Sequence, residues 1–206
     1  MPVTTPVTLI VLAAGRSSRM GAHKLLLPIG GRPLITCALN AAVASTAAEI
    51  IVVLGHDAAT VRRALPAGRW RVVECAEYAS GMSASLRAGV RAVSAQTVGA
   101  IVTLADQPLV TAGHLDALLS LAASAQDRIV ATHWAGRDST PVYFPRVLFD
   151  ELQRITGDEG GRSVIARHPE LLLRVPAGDA DMLLDVDDPA SLERARALLS
   201  AEDKGD

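Results

Sequence analysis

The sequence predicts an α/β protein of three layers, with a mostly parallel central sheet covered by helices on both faces. Short aliphatic, β-branched runs alternate with alanine- and leucine-rich stretches of helical length. Most of those runs carry apolar residues on both faces, the pattern of strands in a parallel, doubly covered sheet. The first run also leads directly into AAGRSSRMGAHK, a loop with two glycines, two serines and two arginines that ends on a lysine.

In chain order, strands are predicted over Val7–Ala13, Ile50–Leu54, Arg71–Cys75, Ala100–Leu104 and Arg128–Thr132. Helices are predicted between them, over Pro33–Ala44, Ala58–Leu65, Met82–Val93 and Gly113–Ala122. Past residue 133 the rhythm loosens. WAGRDSTPVYFPRVLFDEL predicts a turn, a short strand and a helix that Pro145 starts, since the first helical turn does not need its N–H. GDEGGR is a loop with three glycines. LLDVDDPASLERARALL predicts a strand running into a helix capped by Asp188, with Pro189 at the first helical position. The tail SAEDKGD is expected to fray. No repeat or linker divides the chain, and its 206 residues, half of them hydrophobic, are enough for one sizeable core.

Composition narrows the function. The net charge of -2 and the lack of a basic run remove the electrostatic footprint of a nucleic-acid binder, and 3% aromatics leave no stacking platform for single strands. The apolar segment near the N-terminus has no basic leader and is far shorter than the roughly 20 residues of a membrane span, so it is expected to be a strand and not a signal. Cys37 and Cys75 lack metal or CxxC spacing, which fits buried thiols in a reducing, cytoplasmic setting. The five histidines show no zinc spacing. A small-molecule partner is expected.

Ligands of open parallel sheets bind beyond the carboxyl ends of the strands, here the loops after Ala13, Cys75, Leu104 and Thr132. In the first of these, small Ala13, Ala14 and Gly15 let backbone N–H groups approach an anion, while Arg16, Arg19 and Lys24 add charge. The loop is neither a Walker A motif nor GxGxxG. Lysine is scarce: Lys24 and Lys204 stand against eighteen arginines. A lysine kept in such a background points to a compact ammonium inserted among phosphate oxygens, which a planar guanidinium does not replace. Asp106 in VTLADQPLV lies just beyond a strand, where a carboxylate suits Mg²⁺, although a turn Asp before Pro108 explains it equally on local grounds. Asp185 and Asp187 alternate with Val186 and would project to one side of a strand end.

LAAGRSSRMGAHKLLLPIGGRPL resembles the signature of the nucleotidyltransferases that activate molybdenum cofactor, and more widely of pyrophosphorylase-type NTP transferases. GMSASLRAG, LADQP, GDEGGR and DVDDPASL resemble further motifs of that family, in family order. The resemblance implies a Rossmann-like nucleotidyltransferase fold in one domain over residues 1–206, with a nucleotide-binding part at about 7–125 and an acceptor-binding part at about 126–200. It implies that CMP moves from CTP to the terminal phosphate of molybdopterin, LAAG rather than LAGG favouring CTP. Lys24, Arg19 and Asp106 would be catalytic. Leu12, Ala13, Ala14, Gly15, Arg16, Ser17, Arg19, Met20, Gly21, Lys24, Gly81, Ser85 and Asp106 would bind nucleotide. Gln107, Pro141, Gly160 and Arg162 would face the acceptor. Asp106, Asp185 and Asp187 would hold Mg²⁺ or Mn²⁺. A molybdenum hydroxylase or its chaperone is the implied protein partner. The family carries Thr where Asp188 stands and often Gly or Asn near Pro141, so Asp138, Ser139 and Thr140 leave the acceptor open. Transfer to a sugar phosphate or another alcohol phosphate, and a non-catalytic cofactor-delivery role, are the alternatives.

Overall fold

The computed structural model describes residues 6–16, 20 and 23–202. Its sheet has seven strands: β1 (Val7–Ala13), β4 (Glu49–Leu54), β5 (Arg71–Glu74), β6 (Gly99–Leu104), β7 (Ile129–Trp134), β8 (Arg137–Pro145) and β9 (Leu172–Pro176). Their order is β5-β4-β1-β6-β8-β7-β9, and only β8 runs antiparallel to its neighbours. The chain steps from β1 to β4 and β5 on one side, then returns to β6 on the other. Strand order therefore reverses beside β1, and the crevice beyond the carboxyl ends of β1 and β6 is where such sheets bind ligands.

Alternation along each strand feeds two separate cores. On one face Leu9, Val11, Val52, Leu54 and Ile101 pack under α1 (Ile35–Ala44), α2 (Ala58–Ala64), α4 (Ala112–Ser124) and α7 (Pro189–Glu202). On the other, Ile10, Leu12, Ile51, Val53 and Val102 pack under α3 (Met82–Ala92), α5 (Phe149–Leu152) and α6 (Arg162–Arg167). This is the expected three-layer α/β architecture with a mostly parallel sheet. Gly89 lets α3 lie close, because a Cβ there would meet Ile10 Cγ2 at 2.6 Å.

The predicted strands and helices of the first 133 residues form within one or two positions of their expected ends. Four features of the chain differ from expectation. A short hairpin, β2 (Pro28–Ile29) with β3 (Arg32–Pro33), follows the first loop, its two-residue strands being too brief to show a period. β8 runs for nine residues instead of forming a short strand, because its register on β7 shifts between Ala131 and Thr132 and Thr140 and Pro141 fall outside the pairing. Neither β9 nor α6 shows in the residue pattern: β9 is an edge strand, half exposed, and α6 has only six residues. The strand expected through LLDV does not form. Residues 181–183 make a 3-10 turn, and the following segment attaches by one bond, from Val186 N–H to the Asp106 carbonyl, at 2.9 Å. Asp188 does cap α7, accepting from Ser191 N–H at 2.7 Å. Cys75 is buried but Cys37 only half so, and both are free thiols. Among the described residues no helix is long and apolar enough to cross a membrane.

Candidate active site

Three acidic side chains and the single lysine of the first loop meet at the topological switch. Lys24 opens a 3-10 turn just beyond that loop and is buried. Its Nζ donates to Asp106 Oδ2 at 2.5 Å and to Asp187 Oδ1 at 2.7 Å. Asp106 arrives because β6 ends two residues before it, and Asp187 because the Val186 bond clasps the C-terminal segment onto that strand end, with Val186 itself in the core. Burial alone would lower the Lys24 pKa, but the charge and hydrogen bond of Asp106, with those of Asp187, hold it above the ordinary lysine range.

Asp185 completes the cluster. Loss of water around its carboxyl, then the negative charges of Asp106 and Asp187, push it up to about 6, against a hydrogen bond from Gln107 and the charge of Lys24. Asp185 is exposed as a residue, so water screens part of this crowding. Gln107 is buried, and Thr140 Oγ1 donates to its Oε1 at 2.9 Å. It thus joins the acidic cluster to β8.

These acids are close together but do not form a three-ligand cage: among the described residues no three His, Cys, Asp or Glu are grouped to hold a metal by themselves. A compact cation already lies between Asp106 and Asp187, in the form of the Lys24 ammonium. Two carboxylate oxygens facing one point charge fit Mg²⁺ or Mn²⁺ provided that substrate phosphates and water complete the shell, as Mg²⁺ prefers.

Beside this cluster lies a cleft of about 430 Å³ walled by Ala14, Gly15, Arg16, Tyr78, Gly81 and Ser85 among others. Leu12 and Asp106 line it too. Ala13 instead points into the core and Met20 packs against it, so any role for these two in the cleft falls to backbone. Ser17, Arg19 and Gly21 lie outside the described residues. Gly81 needs its positive φ of 102°, and a Cβ on it would meet Gly157 O and Asp158 Oδ1 at 2.6 Å. The three-glycine loop therefore docks on the start of α3, where Asp158 Oδ1 accepts from Met82 N–H at 3.1 Å.

A smaller hollow of about 130 Å³ adjoins it and shares the walls Leu12, Met82, Leu104 and Asp158. Val142 and Phe144 floor this hollow, with Gly160 and Arg162 at its side. Of the four residues expected to face the acceptor, Gly160 and Arg162 line it. Gln107 lies behind it, and Pro141 is buried with its carbonyl accepting from Thr132 Oγ1 at 2.8 Å.

Sequence reasoning missed Tyr78. Its ring lies under the Arg16 guanidinium at 5.4 Å and continues into His56 at 5.8 Å and His23 at 5.7 Å. Gly55 makes the approach possible, since a Cβ there would meet Tyr78 Cβ at 2.6 Å and Ala14 Cβ at 2.7 Å. The available signal was that Tyr78 is one of only two tyrosines.

Comparison with known proteins gives the family and supports the fold. The family described as MobA-like NTP transferase domain matches residues 9–171. Purine catabolism protein PucB of Bacillus subtilis is 31% identical over 200 residues, covering 93% of this chain and 96% of that one. Nicotine blue oxidoreductase of Paenarthrobacter nicotinovorans is 30% identical over 199 residues, covering 88% and 92%. The crystal structure of Rv0371c from Mycobacterium tuberculosis superposes with a TM-score of 0.81 at 31% identity, over 94% of this chain and 99% of that one. Rv0371c has also been solved in complex with manganese, with a TM-score of 0.75 at 27% identity over 94% and 99% of the two chains. The chain belongs to the MobA-like NTP transferase family.

Proposed function

We propose that this protein transfers CMP from CTP to the terminal phosphate of a molybdopterin cofactor and releases pyrophosphate. One observation carries the reading: Lys24 and two carboxylates converge at the strand ends, and one of those carboxylates, Asp106, lines a cleft of about 430 Å³ beside the first loop that a smaller hollow adjoins. The larger lobe, with Asp106 in its wall, takes the nucleotide, and the smaller receives the acceptor's ring. The whole chain then acts as one NTP transferase domain. Residues from about 7 to 125 supply most of the nucleotide wall and those from about 126 to 200 most of the acceptor side.

The acceptor phosphate monoester, with a second pKa near 6, is largely ionised at neutral pH, so its oxygen attacks the α-phosphorus without a general base. The bond from that phosphorus to the β-phosphate oxygen breaks. Lys24 leaves its carboxylates for phosphate oxygens and offsets charge in the pentacoordinate state. Backbone N–H groups around Ala14 and Gly15 cradle the triphosphate, and Gly81 and Ser85 border the nucleoside. When bound to Asp106 and Asp187, Mg²⁺ or Mn²⁺ supplies Lewis-acid charge at the phosphates, a reading that the manganese complex of Rv0371c supports. A molybdenum hydroxylase or its chaperone is the proposed recipient of the product.

The test is to incubate the protein with Mg²⁺, reduced molybdopterin and each NTP in turn, measuring pyrophosphate and identifying the product by mass. Cytosine dinucleotide is expected. Nucleotide binding without pyrophosphate release, or transfer only to a sugar phosphate, would overturn the proposal.

A further inference from the structure

The hollow beside the nucleotide cleft contains a carboxylate that neither the fold nor the proposed chemistry requires. Asp138 lines it. The neighbouring strands hold its side chain from two directions. Across the ladder, His133 pairs with Asp138 in register, and His133 Nδ1 lies 2.7 Å from Asp138 Oδ1. From the edge strand β9, Arg174 grips both oxygens, Nε to Oδ1 at 2.8 Å and Nη2 to Oδ2 at 3.0 Å. Arg174 stands opposite Ala131, two residues from His133, so all three side chains project to the face that carries the hollow.

A carboxylate has about four acceptor positions. Three are taken here, two on Oδ1 and one on Oδ2. The Arg174 hydrogen bonds hold the Asp138 carboxyl below the ordinary carboxylate range, so it stays ionised at neutral pH with one lone pair of Oδ2 unengaged by these partners. Leu12, Met82, Val102, Val142 and Phe144 give the hollow an apolar wall, and its other polar lining is Ser139 and Thr140 beside Asp138 and Asp158, Glu159 and Arg162 on the glycine-loop side. A cavity of about 150 Å³ takes up a benzene ring, so a hollow of about 130 Å³ receives the edge of a flat ring system and not a whole cofactor.

We infer that Asp138, fixed by Arg174 and His133, is the specificity residue of the acceptor lobe, and that it selects a planar nitrogen heterocycle presenting an N–H donor at its edge. This rests on the proposed transfer reaction and deepens it. Against the apolar wall a flat heterocycle buries its faces while one edge N–H meets Oδ2, whereas a sugar ring would set some of its hydroxyl groups against aliphatic carbon.

The experiment measures KM for reduced molybdopterin and for CTP separately, with Mg²⁺ and the full chain. Asp138→Ala is expected to raise the acceptor KM about ten- to hundredfold, the scale of a lost charge-assisted hydrogen bond, with the CTP KM within about twofold of wild type. Arg174→Gln retains the carboxylate but frees its rotation, and is expected to raise the acceptor KM less. Should Asp138→Ala fold poorly, the isosteric Asp138→Asn gives the same comparison. An unchanged acceptor KM in a folded variant, while wild-type protein makes the dinucleotide, overturns this assignment alone. Equal rises in both KM values also overturn it, by showing a general structural role. No dinucleotide from wild-type protein overturns the transfer reading and this assignment with it.

Discussion

Replacing Lys24 separates the charge chemistry of the site from the stability of the fold. In Lys24→Met the stem is kept and the ammonium lost, leaving Asp106, Asp187 and Asp185 without the cation that offsets them. Removing one partner of a fully buried ion pair costs about 3–5 kcal/mol. Here the Lys24 side chain is only 11% exposed, but those of Asp106 and Asp187 are 20% and 50% exposed, so water reaches the orphaned carboxylates and the cost falls to about 1–2 kcal/mol. For a chain of this size that is a drop in Tm of about 2–8 °C, well within a typical stability of 5–15 kcal/mol. Nearly all of the variant therefore stays folded at 25 °C. Its rate should fall much further, by about two to three decades, the range for loss of one group that stabilises transition-state charge. Lys24→Arg tests geometry: a planar fork in place of a point charge should restore the melting temperature more fully than the rate. Pyrophosphate release at saturating CTP, paired with thermal melts of the same preparations, reads both quantities. A wild-type rate in Lys24→Arg would refute the point-charge argument, and a rate loss no larger than the unfolded fraction would refute the catalytic one.

Three further outcomes follow from the same geometry. Asp106→Ala should lower turnover by about two to three decades with far-ultraviolet circular dichroism unchanged, and full activity in the folded variant would remove the metal assignment. Gly55→Ala should destabilise by about 1–3 kcal/mol in urea titrations, because its Cβ would sit 2.6 Å from Tyr78 Cβ, and should raise the KM for CTP as Tyr78 moves; a neutral effect would mean that the Tyr78 wall yields freely. The raised Asp185 pKa makes the native state hold a proton that the unfolded chain releases, so between about 6 and the ordinary value of 3.8 stability gains as pH falls. Screening limits this to about 1 kcal/mol, read as a wild-type Tm deficit against Asp185→Asn that shrinks from pH 7.5 to pH 4.5 without metal or nucleotide. An equal deficit at both values would contradict the crowding of these acids.

Most of the strands readable from residue pattern are buried on both faces, the half-exposed edge strand β5 being the exception. β1, β4 and β6 are unbroken aliphatic runs because helices cover them on each side, and such runs announce themselves. β9 alternates and lies at the sheet edge, and β8 carries RDST before its apolar residues, so neither presents an apolar run along its whole length. The segment through LLDV looks like a strand and is not one. Leu184 and Val186 pack on the core, yet only one of its N–H groups finds the sheet, because β6 has ended and just the Asp106 carbonyl remains to accept it.

The site divides along a similar line. Lys24 stood out because the chain is otherwise almost free of lysine, and Asp106 because it follows a strand; both signals are local, and the structure brings these two residues to within 2.5 Å of each other. Asp138 gave no such signal. In sequence it is one acid in a polar turn, and its partner Arg174 is one of eighteen arginines, thirty-six positions away. What singles it out is the register of three adjacent strands, β8, β7 and β9, which sets a bidentate arginine and a histidine against one carboxylate that lines the smaller hollow. Side chains opposite one another across a ladder are about 5 Å apart whatever their separation in the chain, so such clusters become visible only once the pairing is known. The first-loop residues lie in one contiguous stretch and leave a motif, whereas the Asp138 cluster is assembled from strands that no local pattern connects.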